Sequence, residues 1–221
     1  MDVTAFYQIA EKPKERDTVY IALPRIQERW SYLFAKRLFD LFFALIGLIV
    51  SALPMAVIAM IVMLGSPGGA IFRQERLGKN GKPFIIYKFR TMDHNAEANG
   101  PQWADKEDKR CTRFGAFLRK TRLDELPQLW NILKGEMSFV GPRPERPYFY
   151  EEFEKHIVGF SNRLVVTPGL TGHAQVNGGY ELGPEEKIVY DMEYIEHRGI
   201  LMDLKCIAKT VKLVFTHEGA R

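Results

Sequence analysis

Hydrophobic and polar positions divide the chain into three unequal zones. The first thirty or so residues are mixed and polar, with charge crowded between Glu11 and Asp17 and with Pro13 and Pro24 breaking any period. From Leu41 to Phe72 no charged residue occurs at all. Beyond Phe72, short apolar runs alternate with charged ones to the C-terminus. At about 1.5 Å per residue, a helix from Leu41 to Leu64 would reach about 36 Å, enough for a hydrocarbon layer of about 30 Å. Pro54 sits in the middle of it. Proline removes the amide that would bond to the Val50 carbonyl and crowds that carbonyl, and Ser51 lies close enough to offer its hydroxyl to the freed backbone. Lys36 and Arg37 precede the segment while Arg73, Arg76 and Lys79 follow it, so the positive-inside rule gives no orientation for a single crossing. Two readings follow: a re-entrant helix-break-helix over residues 36–66 with both ends on the cytoplasmic side, or a kinked span. The segment starts too late and runs too long for a cleaved signal peptide.

The pattern on either side adds detail. Trp30, Tyr32 and Phe34 arrive just before Lys36 and Arg37, an order that suits a membrane interface, with rings at headgroup depth and cations against phosphate. An amphipathic helix packed on its own domain explains the same order, and Asp40 is placed to pair with Arg37. After the break Gly65-Ser66-Pro67-Gly68-Gly69, strands are predicted at Ala70 to Phe72 and Phe84 to Phe89, with a turn from Gly78 to Lys82. Lys88 and Arg90 alternate with Tyr87 and Phe89, placing the cations on one face of that strand. Residues 94 to 109 are polar, with Trp103 the single large apolar residue, and read as a loop or lid. Ile200, Leu204, Ile207, Val211 and Val214 recur at helical spacing, which fits either packing on the domain or an interfacial helix.

Composition narrows the class. The 221 residues divide into a lead-in over 1–35, the membrane segment over 36–66 and one domain over 67–221, long enough to bury a core. The fold class expected is α/β: a compact, helix-dominated cytoplasmic catalytic domain with interfacial amphipathic helices and the proline-broken membrane helix. A net charge of +4, from 31 basic and 27 acidic residues, suits phosphate-bearing or anionic-lipid partners. Cys111 and Cys206 show no CxxC spacing, and His94, His156, His197 and His217 show no metal-ligand spacing.

The densest chemistry lies in Leu118-Arg119-Lys120-Thr121-Arg122-Leu123-Asp124-Glu125-Leu126-Pro127-Gln128. Pro127 suits a first helical turn, so a helix starting near Asp124 is expected, and Asp124 is either its N-cap or part of a charged site. Two adjacent carboxylates among Arg119, Lys120 and Arg122 form a neighbourhood suited to ionised acids and to phosphates. Adjacent side chains diverge, so one acid can attack while the other binds a metal. Less than twenty residues later, Arg143 stands between Pro142 and Pro144, its backbone largely preset for aiming a guanidinium at phosphate.

These motifs together, with Lys36-Arg37-Leu38-Phe39-Asp40, Tyr87-Lys88-Phe89-Arg90-Thr91-Met92, Met137 to Pro144 and Thr167-Pro168-Gly169-Leu170-Thr171-Gly172-His173-Ala174-Gln175-Val176-Asn177-Gly178, strongly resemble the bacterial sugar transferase family. Its members are monotopic polyprenyl-phosphate phosphoglycosyltransferases, and the resemblance runs from about Lys36 to the C-terminus. It implies transfer of a sugar 1-phosphate from a UDP-sugar to undecaprenyl phosphate, with release of UMP, on the cytoplasmic face of a bacterial inner membrane as the first membrane step of a surface glycan. It implies Asp124 as the nucleophile of an aspartyl-phosphosugar intermediate, Glu125 on Mg2+, and Asp191 as a carboxylate assisting the lipid phosphate. Lys88, Arg90, Arg119 and Arg143 are expected on phosphates, and Lys36, Arg37, Ser51 and Pro54 in the membrane element. Membrane lipids are expected partners, a homodimer is compatible with the family, and no nucleic acid is expected. Two departures stand out: Leu53 precedes Pro54 where relatives have serine, and His173 occupies a position where relatives often carry Trp. A membrane-bound metal-dependent phosphohydrolase and a non-catalytic scaffold are the alternatives.

Overall fold

Residues 18–26, 29–93, 96, 110–178 and 182–216 are described in the computed structural model. The charged stretch from Glu11 to Asp17, His94, Trp103 and His217 lie outside the described residues.

Helix α1 (Trp30–Gly65) is one continuous helix through Pro54. The expected break is therefore absent from the secondary structure. Proline deletes one backbone bond, but the neighbouring i→i−4 bonds persist and the packing of both halves on the domain holds the helix together. Ser51 does not relieve the freed carbonyl of Val50. Its hydroxyl donates to Gly47 O at 2.6 Å, one turn back, a contact that tends to bend helices.

The inward stripe of α1 follows helical periodicity. Tyr32, Asp40, Ala44, Ser51, Ile58 and Val62 are buried, while Leu53 is 75% exposed and Phe42, Ile49, Val50, Met60 and Leu64 also face outward. Ala44 packs with Phe84, Ile86, Leu129 and Ile132, and Ile58 and Val62 pack with Ala70, Phe89 and Leu118. Both halves of the apolar helix thus sit on the same domain. Lys36 and Arg37, expected against headgroups, are turned inward instead: Lys36 Nζ bonds Asp203 Oδ2 at 2.8 Å, and Arg37 donates to the carbonyls of Ile132 and Leu133 at 2.8 and 2.9 Å. Those carbonyls lie in the last turn of a helix, where Ile132 O also accepts from the Gly135 amide, and a guanidinium is a natural cap there. Asp40 accepts from Ser138 Oγ and the Phe139 amide rather than pairing with Arg37.

Two antiparallel strands follow, β2 (Ile71–Leu77) and β3 (Pro83–Phe89), paired from Ile71↔Phe89 to Leu77↔Pro83. The hairpin is longer than its first predicted strand. Its turn spans Lys79–Gly81, with Asn80 in the left-handed region. Helices α2 (Arg113–Thr121) and α3 (Gln128–Lys134) come next, then strand β4 (Ser138–Val140), helix α4 (Pro147–Glu154), and strand β6 (Gly169–Thr171), parallel to β4. Short β1 (Val19–Tyr20) and β5 (Ile157–Val158) pair in parallel. Helices α5 (His173–Val176), α6 (Pro184–His197) and α7 (Ile200–Thr216) complete a helix-dominated α/β unit. Its main core gathers Ile188, Met192 and Ile195 of α6 with Ile157, Phe160 and Val140.

For the α7 stripe the sequence left packing on the domain and an interfacial position both open. Asp203 and Cys206 are its buried residues, whereas Ile200, Leu201, Leu204, Val211 and Phe215 point outward.

Candidate active site

The paired acids sit in a tight turn between two helices. Thr112 caps α2 by accepting from the Gly115 amide at 2.9 Å, and α2 ends at Arg122, a non-glycine residue at φ 57°. That conformation costs about 1–2 kcal/mol and reverses the chain sharply. Leu123–Glu125 then forms a single 3-10 turn, and α3 begins only at Gln128, with Pro127 as its N-cap. Asp124 is therefore not a helix cap. Both acids are buried, at 7% and 8% exposure, with Leu118 and Leu129 anchoring the helices on either side.

Three segments bring cations to this turn. Lys88 of β3 donates to Glu125 Oε1 at 2.8 Å, and Arg143 Nη2 donates to the same oxygen. Arg143 owes its position to backbone packing. The Gly141 amide bonds Thr171 O and the Gly169 amide bonds Pro142 O, each at 2.9 Å. A Cβ on Gly169 would lie 2.1 Å from the Gly141 nitrogen, so only glycine permits the approach. Arg76 secures the far side, donating to Pro144 O and to Glu145 Oε2, both at 3.0 Å. Arg119, in the last turn of α2, donates from Nε to Thr91 Oγ1 at 2.9 Å. Gly115 makes this possible, because a Cβ there would fall 2.0 Å from Thr91 O.

The surroundings split the two acids electrostatically. Burial raises Asp124 from 3.8 to about 6; Glu125 adds to the rise, while Lys88, Arg143 and Arg119 oppose it. Burial also penalises charge on Glu125, but Arg143 and Lys88 outweigh it and hold that carboxyl well below its usual range. Glu125 is thus the permanently charged member. Asp124 gains and loses its proton in a range close to neutrality, and when ionised it is a desolvated carboxylate among cations, able to act on an electrophilic phosphorus.

Other sequence-predicted residues lie elsewhere. Arg90 bonds the carbonyls of Pro67 and Ser66, the latter at 2.8 Å, and so caps the C-terminus of α1 rather than facing the acids. Asp191 lies in the α6 core, ion-paired at 2.5 Å with Arg163. The groups acting on Asp191 are Arg163, Glu145 and Lys187, a set separate from those acting on Asp124. Burial lifts Asp191 to about 6 despite Arg163. His173 is not loose on the surface: its ring meets Glu193 Oε2 at 3.1 Å and Tyr190 edge-on.

Sequence reasoning missed Arg163, Arg76 and Asn131. Asn131 accepts from the Tyr87 amide and donates to Ile85 O at 2.7 Å, locking α3 to the strand that carries Lys88. The available signal was a polar residue inside an apolar run: Asn131 between Trp130 and Ile132, Arg163 before Leu164-Val165-Val166.

Among the described residues no three His, Cys, Asp or Glu side chains form a metal cluster. The pair alone still fits magnesium, which commonly takes one or two carboxylates and completes its shell with water and substrate phosphates. Lys88 and Arg143 both bind Oε1 of Glu125.

The bacterial sugar transferase family profile matches residues 31–217. A Bacillus subtilis (strain 168) protein named for undecaprenyl-phosphate N-acetylgalactosaminyl 1-phosphate transfer is 58% identical over 134 residues, covering 60% of this chain and 74% of that protein. UDP-N-acetylgalactosamine-undecaprenyl-phosphate N-acetylgalactosaminephosphotransferase of Aeromonas hydrophila is 41% identical over 193 residues, 86% of this chain and 46% of that protein. UDP-glucose:undecaprenyl-phosphate glucose-1-phosphate transferase of Escherichia coli (strain K12) is 39% identical over 190 residues, 84% of this chain and 41% of that protein. The chain spans less than half the length of these last two relatives. The matched region contains α1, the Asp124-Glu125 turn and the cations that converge on it, and the chain belongs to the bacterial sugar transferase family.

Proposed function

We propose that the chain transfers a sugar 1-phosphate from a UDP-sugar to undecaprenyl phosphate, releasing UMP and forming undecaprenyl-diphosphate-sugar. The observation that carries this is the buried Asp124-Glu125 pair beneath Lys88, Arg143 and Arg119. An oxygen of ionised Asp124 attacks the sugar-bearing phosphorus; the new O–P bond replaces the bond to the UMP phosphate oxygen, and UMP leaves with that electron pair. The acceptor's phosphate oxygen then attacks the same phosphorus and returns the carboxylate. Lys88 and Arg143 keep Glu125 ionised and, with Arg119, offset the diphosphate's charge. Mg2+ held by Glu125, with Asp124 beside it, would further screen that charge.

The acceptor phosphate is tethered to a lipid, so Asp124 must work at headgroup depth. Two features support a monotopic, cytoplasmic-face placement with α1 re-entrant. Tyr32 and Lys36 at one end of α1 bond Asp203, and the carbonyl of Ser66 past its other end is bonded by Arg90, so both ends are tied to one domain. The outward apolar residues of α7 suit an interfacial helix on the same lipid surface.

Purified protein incubated with magnesium, a panel of UDP-sugars and undecaprenyl phosphate should release UMP repeatedly and form the lipid product with at least one sugar; without the lipid, release should stop at about one UMP per protein molecule, the stoichiometry of the covalent intermediate. Continued turnover without the lipid would indicate hydrolysis, and no release with any sugar would overturn the assignment.

A further inference from the structure

Away from the paired acids, the N-terminal end of α1, the hairpin turn and the end of α6 enclose a cavity of about 200 Å³. Lys36, Arg37, Lys79 and Arg198 contribute four cations to its wall, and Asp40 contributes the one carboxylate. Asp40 is already turned onto Ser138 Oγ and the Phe139 amide. Lys36 bonds Asp203 and Arg37 bonds two carbonyls, so these two carry fixed ammonium and guanidinium groups held in place by the fold. Lys79 and Arg198 are different. Among the described residues the Lys79 ammonium makes no ion pair, and the Nε of Arg198 is buried with no hydrogen-bond partner. A buried guanidinium N–H left unbonded costs free energy that a ligand oxygen would recover.

The rest of the wall mixes apolar Leu33, Met137 and Val166 with the hydroxyl-bearing Tyr32, Ser138, Thr167 and Tyr194. The volume is below the 300 Å³ or more usual for sites that enclose a drug-sized ligand, so it suits a headgroup rather than a whole nucleotide sugar. The lining residues Tyr32, Leu33 and Lys36 alternate along the first turns of α1 with the exposed Trp30 and Phe34. Cations below and hydrocarbon-facing residues beside them match an anion that carries an acyl or prenyl chain.

We propose that this cavity binds the phosphate of a membrane lipid, at a site separate from the Asp124-Glu125 centre. It docks the N-terminal end of α1 to the lipid surface. The inference rests on the membrane reading of α1, which sedimentation with uncharged phosphatidylcholine vesicles tests by itself: failure of the wild-type chain to sediment would overturn that reading.

The pocket is tested on the detergent-solubilised full chain by titrating short-chain phosphatidylglycerol, a short polyprenyl phosphate and inorganic phosphate, with binding followed by calorimetry. Lys79→Gln and Arg198→Gln should each weaken lipid-phosphate binding about fivefold, and the double variant about 25-fold, as expected for roughly independent charges near a phosphate surface. Lys155→Gln, an exposed lysine of the α4 C-terminus, should leave binding unchanged. Preference for phosphatidylglycerol identifies bulk phospholipid as the source, and preference for the polyprenyl phosphate identifies the acceptor; either supports the site. Wild-type affinity in the double variant, or inorganic phosphate competing as well as the lipids, would overturn it.

Discussion

Replacing Asp191 with Asn separates a structural from a catalytic role for this carboxylate. Arg163 and Asp191 face each other at 2.5 Å, with residue exposures of 3% and 0%, and the Phe160 ring lies 5.0 Å from the guanidinium. Asparagine keeps the size and removes the charge, leaving Arg163 uncompensated inside the main core. Breaking one side of a buried pair costs about 3–5 kcal/mol. That is a large part of the roughly 5–15 kcal/mol that holds a domain folded. With a urea slope of about 2 kcal/mol per molar, the unfolding midpoint in detergent should fall by about 2 M. Circular dichroism would follow the transition, and urea is preferred because it does not screen charge. Arg163→Met with Asp191→Leu should recover most of the loss, since apolar replacement of a buried pair is often neutral or stabilising. Turnover per folded Asp191→Asn molecule should remain measurable. An Asp191→Asn protein with the wild-type midpoint and no turnover would refute this reasoning and place the carboxylate in the chemistry.

Further outcomes follow from the same geometry. Because Asp124 is raised to about 6, kcat/KM should fall about tenfold per pH unit below that value, whereas an ordinary carboxyl would sustain activity to about pH 4. Lys88→Met removes a cation that lowers Asp124, so a pH–rate profile should show that acid limb moved to higher pH. Asp124→Asn should abolish turnover while preserving membrane association. Stability linked to a raised carboxyl is present below its unfolded value and lost as pH rises through the folded one, so this variant should also have a higher midpoint than wild type at pH 8. Arg90→Met should lower stability by about 1.5–3 kcal/mol through loss of charged bonds to the end of α1, with KM for the nucleotide sugar unchanged. Reporters fused before Lys36 and after Arg73 should report the same membrane face; opposite faces would end the re-entrant reading of α1.

The linear chain determined whatever depends on short-range pattern. The charge-free run of α1, the hairpin around its Gly78 to Lys82 turn, the C-terminal helix and the Asp124-Glu125 and Pro142-Arg143-Pro144 motifs were all legible, because each lies within one or two turns of chain. The family was legible for the same reason: the stretches that mark it are a few contiguous motifs. Partner choice was not. Lys36, Arg37 and Arg90 look like headgroup or phosphate ligands in sequence, yet each serves a contact formed only on folding, whether with the Asp203 carboxylate or with carbonyls at helix ends. The outward turn of the α7 stripe was likewise hidden, since periodicity defines a face but not which side of the helix meets the core. Only the tertiary structure separated Glu125, clamped by Lys88 and Arg143, from Asp124, whose charge burial disfavours. Two adjacent carboxyls became electrostatically unlike because desolvation and cation distance are properties of three-dimensional packing, fixed here by strands and loops far apart along the chain.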